Sequence, residues 1–200
     1  MINTTENENV NKVGEEEDKN AIELNFMESN NIFINGDFDD SIMKNIIPKL
    51  LKEIDIQADK KTPKIKIYID SRGGYVNVLL NLLALIEIAK KKDIIIETYV
   101  FSRAYSCGSI LACAGTKGNR YISYNAEHLC HLGMGDPGQV INDTELERGA
   151  ERIKFHFDRI RMLYKKYADV LNLEEIIKND NYFIRGNDII KNGLADKYVD

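Results

Sequence analysis

KIKIYIDSRGGYVNVLLNLLALIEIAKK, residues 64–91, decides the fold class. From Lys64 to Asp70 isoleucine stands at every second position between charged or aromatic residues, the period of a strand buried on one face. That strand runs without a spacer into Ser71-Arg72-Gly73-Gly74. From about residue 75 to 91 the chain is apolar almost all round, which predicts a deeply buried helix. Ile94–Phe101 (IIIETYVF) supplies a second buried strand. Strand, tight glycine turn, buried helix and strand make a parallel crossover unit, so the chain reads as α/β with substantial parallel sheet.

The same alternation extends outward. Asn31–Asn35 (NIFIN) predicts a short strand. Asp39, Asp40 and Ser41 then cap a helix whose apolar residues, Ile42, Met43, Ile46, Ile47, Leu50, Leu51 and Ile54, fall on one face, with a kink expected at Pro48. Downstream, Ser106–Gly115 (SCGSILACAG) reads as a helix packed through small residues and ended by Gly115. Arg120–Ile122 and His128–Leu132 read as short strands. Asn142, with Glu145 three residues on, opens a long helix carrying Leu146, Ala150, Ile153, Phe157, Ile160, Leu163 and Tyr167 on one stripe. Two short helical segments precede Gly193-Leu194-Ala195-Asp196. Residues 1–20, rich in Asn, Glu and Lys, form an acidic tail with too little apolar surface to order itself, and residues 21–200 form a single folded domain.

Composition narrows the function. A net charge of −5 argues against nucleic-acid binding, which normally needs a basic face. The three cysteines, Cys107, Cys113 and Cys130, contain no C-x-x-C pair, which favours neither a disulfide framework nor a zinc site and suits a reducing, cytoplasmic setting. The N-terminus lacks the apolar core of a secretory signal, and Val76–Ala89 is too short to span a bilayer. Gly133-Met134-Gly135-Asp136-Pro137-Gly138 matches G-x-G-x-x-G only formally, because Pro137 interrupts it and the next helix is capped only at Asn142. There is no phosphate-binding loop and no metal-ligand spacing, so no cofactor is expected in this chain.

Ser106 follows a buried strand and starts a helix, where free backbone N–H groups and the positive end of the dipole suit a developing oxyanion; the alternative role there is an N-cap. Gly73-Gly74 at a strand end permits positive φ and close approach of a ligand. His131 is the candidate base for a serine hydroxyl. His128, three residues earlier, should face the opposite way along the strand. His156, between Phe155 and Phe157 in the long helix, reads as a packing or surface residue.

Four segments in order, IYIDSRGG (67–74), AYSCGS (104–109), GTKGNRYIS (115–123) and HLCHLG (128–133), resemble the Clp protease proteolytic subunit family. The resemblance runs from about Asn30 to the Gly193–Asp196 ending. It implies a crotonase-like ββα superhelix with a protruding handle helix, the one after Asn142. It implies a serine endopeptidase with Ser106 as nucleophile, His131 as base and an acidic residue near the C-terminus as orienting group. The backbone N–H groups of Gly74 and Cys107 would form the oxyanion hole. In Asn179-Asp180-Asn181-Tyr182-Phe183 the family's Asp falls two residues before an aromatic, so Tyr182 selects Asp180 and Phe183 selects Asn181. The interval from the aromatic to Gly193 slightly favours the second alignment, whereas the charge needed beside an imidazolium favours Asp180, with one residue inserted between Tyr182 and Gly193.

The resemblance further implies two stacked heptameric rings, unfolded polypeptide as substrate, and an AAA+ unfoldase as partner that hydrolyses ATP on its own chain. Three positions depart from the family pattern: Arg72 stands for its proline, Cys107 for its methionine and Leu132 for its glutamine. Two other readings are a non-catalytic ring subunit and an acyl-CoA enzyme of the wider crotonase superfamily.

Overall fold

The strand that carries the fold is β3, Ile95–Tyr105, which divides its length between two sets of partners. The computed structural model describes residues 30–133, 142–179 and 181–199. Within them β1 (Asn31–Asn35), α1 (Asp40–Ala58), β2 (Lys64–Ser71) and α2 (Val76–Lys91) precede β3, and α3 (Cys107–Cys113), β4 (Arg120–Ile122), β5 (Glu127–Cys130), α4 (Asp143–Tyr167), α5 (Leu173–Lys178), β6 (Tyr182–Arg185), α6 (Asn187–Lys191) and β7 (Lys197–Tyr198) follow. The domain boundary expected near Ala21 lies outside the described residues.

The strands run in the order β1-β2-β3-β4-β7, and β5 joins through β3. β2 lies parallel to β3, with Ile67 beside Thr98 and Tyr68 beside Tyr99. The first half of β3 pairs in parallel with β4 at Thr98–Val100, and its last three residues, Arg103–Tyr105, pair in parallel with β5. β6 then lies antiparallel to β5, with Tyr182 opposite Cys130. This second pairing carries the end of β3 four residues beyond its apolar run. It also brings residues 106 and 131 to the same end of adjacent strands.

Ile65, Ile67, Ile69 and Ser71 of β2 point into the core, against Leu79, Leu82 and Ile86 of α2. On the other face Phe33, Tyr68, Tyr99 and Tyr121 stack across four strands with ring centroids 4.7–4.9 Å apart. The Asp39 side chain caps α1 by accepting from Ser41 N, and Asn142 caps α4 by accepting from Glu145 N, as their sequence patterns predict. α1 continues through Pro48.

Two helices are less buried than their sequences suggest. α2 keeps an exposed line at Asn77, Asn81, Ala84 and Ile88, while its other sides pack on α1, α3 and β3. α4 buries Ile160 and Tyr164 in its second half, whereas Leu146 nearer its start is 55% exposed and Ala150 is exposed as well. The first half of the stripe stands away from the core, as a protruding helix does. The C-terminal segment is fastened by one buried pair. Asp196 accepts from Arg120 at 2.5 and 2.8 Å and from the N–H groups of Gly118 and Arg120, while the Arg120 guanidinium also donates to the carbonyls of Tyr167 and Gly193.

Candidate active site

β3 ends at Tyr105, and the chain turns at Ser106 with φ 53° and ψ −120° before α3 begins. A non-glycine residue in this region is strained by about 1–3 kcal/mol and persists only where its surroundings over-determine it. Here Ser106 N donates to Leu129 O of β5 at 2.8 Å, while Ser106 O accepts from Ser109 N and Ile110 N of α3. Ser106 therefore precedes the helix instead of lying inside it, and its side chain makes no N-cap hydrogen bond. The hydroxyl is turned outward. His131 Nε2 lies 2.6 Å from Ser106 Oγ.

The two glycines meet this turn from β2. A carbon added at Gly73, where φ is +96°, would lie 2.7 Å from Ser106 Cβ and 2.8 Å from Tyr105 O. One added at Gly74, where φ is +139°, would lie 2.7 Å from both N and O of Phe38. Each glycine is thus required by close approach as well as by φ. Phe38 N donates to Gly73 O and Tyr75 N to Phe38 O, so the turn before α1 holds the glycine loop from its far side. The N–H groups of Gly74 and Cys107 make no hydrogen bond to any described residue. Arg72 is exposed, and its side chain reaches the same cavity.

Cys107 sits beside Ser106 but is no rival nucleophile. Burial, opposed by contacts with the Gly74 carbonyl and Ser106, pushes its thiol up to about 11, and the S–H donates to Gly74 O at 3.2 Å. His128 points the other way from His131, into the core, with Nδ1 2.9 Å from Ser109 Oγ. His156, read as a packing or surface residue, is half-buried with its ring edge-on to that of Phe157. It lines the cavity of about 870 Å³ that Ser106, His131, Gly73 and Gly74 share, because it falls one turn before Ile160 on the inward face of α4. That one-turn offset from a buried isoleucine is the sequence signal that could have found it.

Asp180 lies outside the described residues. Asn181 is exposed and leads directly into β6, whose antiparallel register sets Tyr182 opposite Cys130. The chain entering β6 therefore arrives at the end of β5 that leads to His131.

A strained serine within hydrogen-bond reach of an imidazole, beside two unengaged N–H groups in a cavity, is an arrangement able to carry out nucleophilic hydrolysis. Residues 14–200 match the Clp protease family, and the chain belongs to it. The chain is 28% identical over 171 residues to the ATP-dependent Clp protease proteolytic subunit of Lactococcus lactis subsp. lactis (strain IL1403), covering 84% of this chain and 82% of that one. To the protein of the same name from Streptococcus uberis (strain ATCC BAA-854 / 0140J) it is 32% identical over 122 residues, 61% of this chain and 59% of the other. The α/β architecture with its mostly parallel sheet is accordingly the crotonase-like fold of the Clp peptidases. No helix among the described residues is long and apolar enough to cross a membrane.

Proposed function

We propose that this chain is a serine endopeptidase, the proteolytic subunit of a self-compartmentalised, ATP-dependent cytoplasmic protease. The observation that carries the reading is the 2.6 Å contact between Ser106 Oγ and His131 Nε2 at a strained turn. His131 takes the Ser106 proton as Oγ attacks the peptide carbonyl. The oxyanion of the tetrahedral intermediate accepts hydrogen bonds from Gly74 N–H and Cys107 N–H. The imidazolium then protonates the leaving amine, and a water activated by the same ring releases the acyl group. Asp180 is the orienting carboxylate in this reading, supported by the register that leads β6 to the His131 end of β5.

The substrate is unfolded polypeptide, and the chain works in stacked heptameric rings. The half-uncovered apolar stripe of α4, with Leu146 and Ala150 exposed, supports burial against another subunit. ATP is hydrolysed by an AAA+ unfoldase on a separate chain, in keeping with the names of the relatives; this chain needs no cofactor. A fluorophosphonate probe applied to the wild type, Ser106→Ala and His131→Ala, with native mass alongside, tests the reading. The wild type should label and run as a ring assembly, Ser106→Ala should assemble without labelling, and His131→Ala should label at least about 10³-fold more slowly. Undiminished labelling of Ser106→Ala would remove Ser106 from the chemistry.

A further inference from the structure

The cavity at Ser106 has an imidazole in an otherwise apolar stretch of wall. His156 and Ile160, one turn apart on α4, line it together with Ile110 and Leu129. The half-buried His156 ring is aimed at the chain just past the base, since a carbon added at Gly133 would lie 3.4 Å from its Nε2. Three charged residues also line the cavity. Asp37 and Asp39 come from the turn before α1, whose Phe38 bridges to Gly74, and Arg72 comes from the glycine loop itself.

An acyl group on Ser106, with its oxygen toward the N–H groups of Gly74 and Cys107, must send its side chain into the remaining space. Ile110, Leu129 and Ile160 accept an aliphatic stem by burial alone. A wholly apolar pocket distinguishes side chains only weakly, by about 10–200-fold for each methylene. A polar group in that wall changes the discrimination: an aliphatic side chain leaves the imidazole without a partner, whereas one with a polar tip satisfies it.

We propose, resting on the peptidase reading above, that His156 is the specificity-determining residue of this site. It selects, at the position whose carbonyl is attacked, side chains with an apolar stem and a hydrogen-bonding oxygen at the tip, with glutamine preferred over leucine of similar volume. His156 forms no bond to the reacting atoms; it acts on the substrate's side chain.

The test uses two internally quenched peptides that differ only by Gln or Leu at that position. The Gln-to-Leu ratio of kcat/KM is measured for the full-length wild type, His156→Leu and His156→Gln, with fluorophosphonate labelling of wild-type Ser106 in parallel. The ratio should fall about tenfold in His156→Leu and recover to within about threefold of wild type in His156→Gln. A general packing defect would lower both peptides together and leave the ratio unmoved. A ratio in His156→Leu within twofold of wild type, with Ser106 labelling normally, overturns the assignment of His156 alone. A wild type that neither labels nor cleaves either peptide overturns the peptidase reading, and this inference with it. Native mass screens the variants, and His156→Met replaces His156→Leu, against the same thresholds, if the latter does not assemble.

Discussion

Ser109 and His128 repeat, one layer inside the protein, the contact between Ser106 and His131. Ser109 lies three residues after Ser106 on α3, His128 lies three before His131 on β5, and Ser109 Oγ is 2.9 Å from His128 Nδ1. Ser109 Oγ is also 3.4 Å from Cys130 Sγ. His128 is fully buried, and its Nε2 finds no hydrogen-bond partner among the described residues. Burial first, and then the positive charge of Arg120, press the His128 imidazolium down to about 3. The ring is neutral at any physiological pH, so the inner pair ties α3 to β5 without titrating, directly beneath the outer pair.

That neutrality gives stability a pH dependence. Folded His128 binds its proton only near pH 3, whereas in the unfolded chain it does so near 6.5, so between these values the unfolded state holds one more proton. Stability from this group is complete above about pH 6.5 and declines as the pH falls toward 3, by about 2 kcal/mol between pH 7 and 5. Urea unfolding across that range should show the decline in the wild type. The double variant Ser109→Ala/His128→Val removes both polar partners together and should flatten it. An unchanged slope in the double variant would assign the loss to other groups.

Gly73→Ala should damage the site more than the fold. The added methyl meets Ser106 Cβ and the Tyr105 carbonyl at a backbone φ of +96°, so either the glycine loop or the Ser106 turn must shift. A displacement near 1 Å at a nucleophile costs about 100-fold in rate. Fluorophosphonate labelling should slow by that order in Gly73→Ala. Labelling at the wild-type rate would mean that the loop yields without moving Ser106.

The Arg120–Asp196 pair should be among the costliest polar contacts to break. Burial acts to raise the Asp196 carboxyl, but the hydrogen bond and charge of Arg120, with the Gly118 and Arg120 N–H groups, hold it below its usual value. Asp196→Asn leaves a guanidinium that is only 7% exposed without its counter-charge. A loss of about 3 kcal/mol is expected near pH 7. Because the carboxyl is depressed in the folded state, its contribution is complete above its unfolded value of about 3.9 and is lost as the pH falls through the lower folded one. The difference in unfolding free energy between wild type and Asp196→Asn should therefore stay level above about pH 5 and shrink below about 4.

What was readable in the sequence was what local pattern dictates. The isoleucine alternation of β2, the caps at Asp39 and Asn142 and the strand Arg120–Ile122 are each written in neighbouring residues, and the structure places them where the pattern does. What was not readable depends on distant pairing. Ser102 to Tyr105 contain no apolar run and join β3 because β5 lies alongside them. β6 and β7, of four and two residues, are too short for alternation to mark. Asp196 meets Arg120 across 76 positions of sequence, a separation that no periodicity spans. His156 was read from its aromatic neighbours in the chain, and Phe157 does meet its ring, but the cavity it also lines is shared with residues of other elements, which no local pattern marks.

The orienting group proposed for His131 has two candidates, Asp180 and Asn181. Tyr182 stands opposite Cys130, so the chain entering β6 arrives at the end of β5 that leads to His131; Asn181 and, before it, Asp180 precede Tyr182 in the sequence. Both can accept a hydrogen bond from Nδ1–H and fix the tautomer, but only a carboxylate also stabilises the imidazolium that forms as Ser106 attacks. Asp180→Ala should therefore lower kcat on a peptide substrate by about 10⁴-fold with the native mass unchanged, and Asn181→Ala by less than about tenfold. Asp180→Asn should resemble Asp180→Ala, because it keeps the shape and loses the charge. The reverse ranking of the two alanine variants would make this a Ser-His-Asn site. Small, equal effects would show that Ser106 and His131 work as a dyad, with the ring held by other contacts.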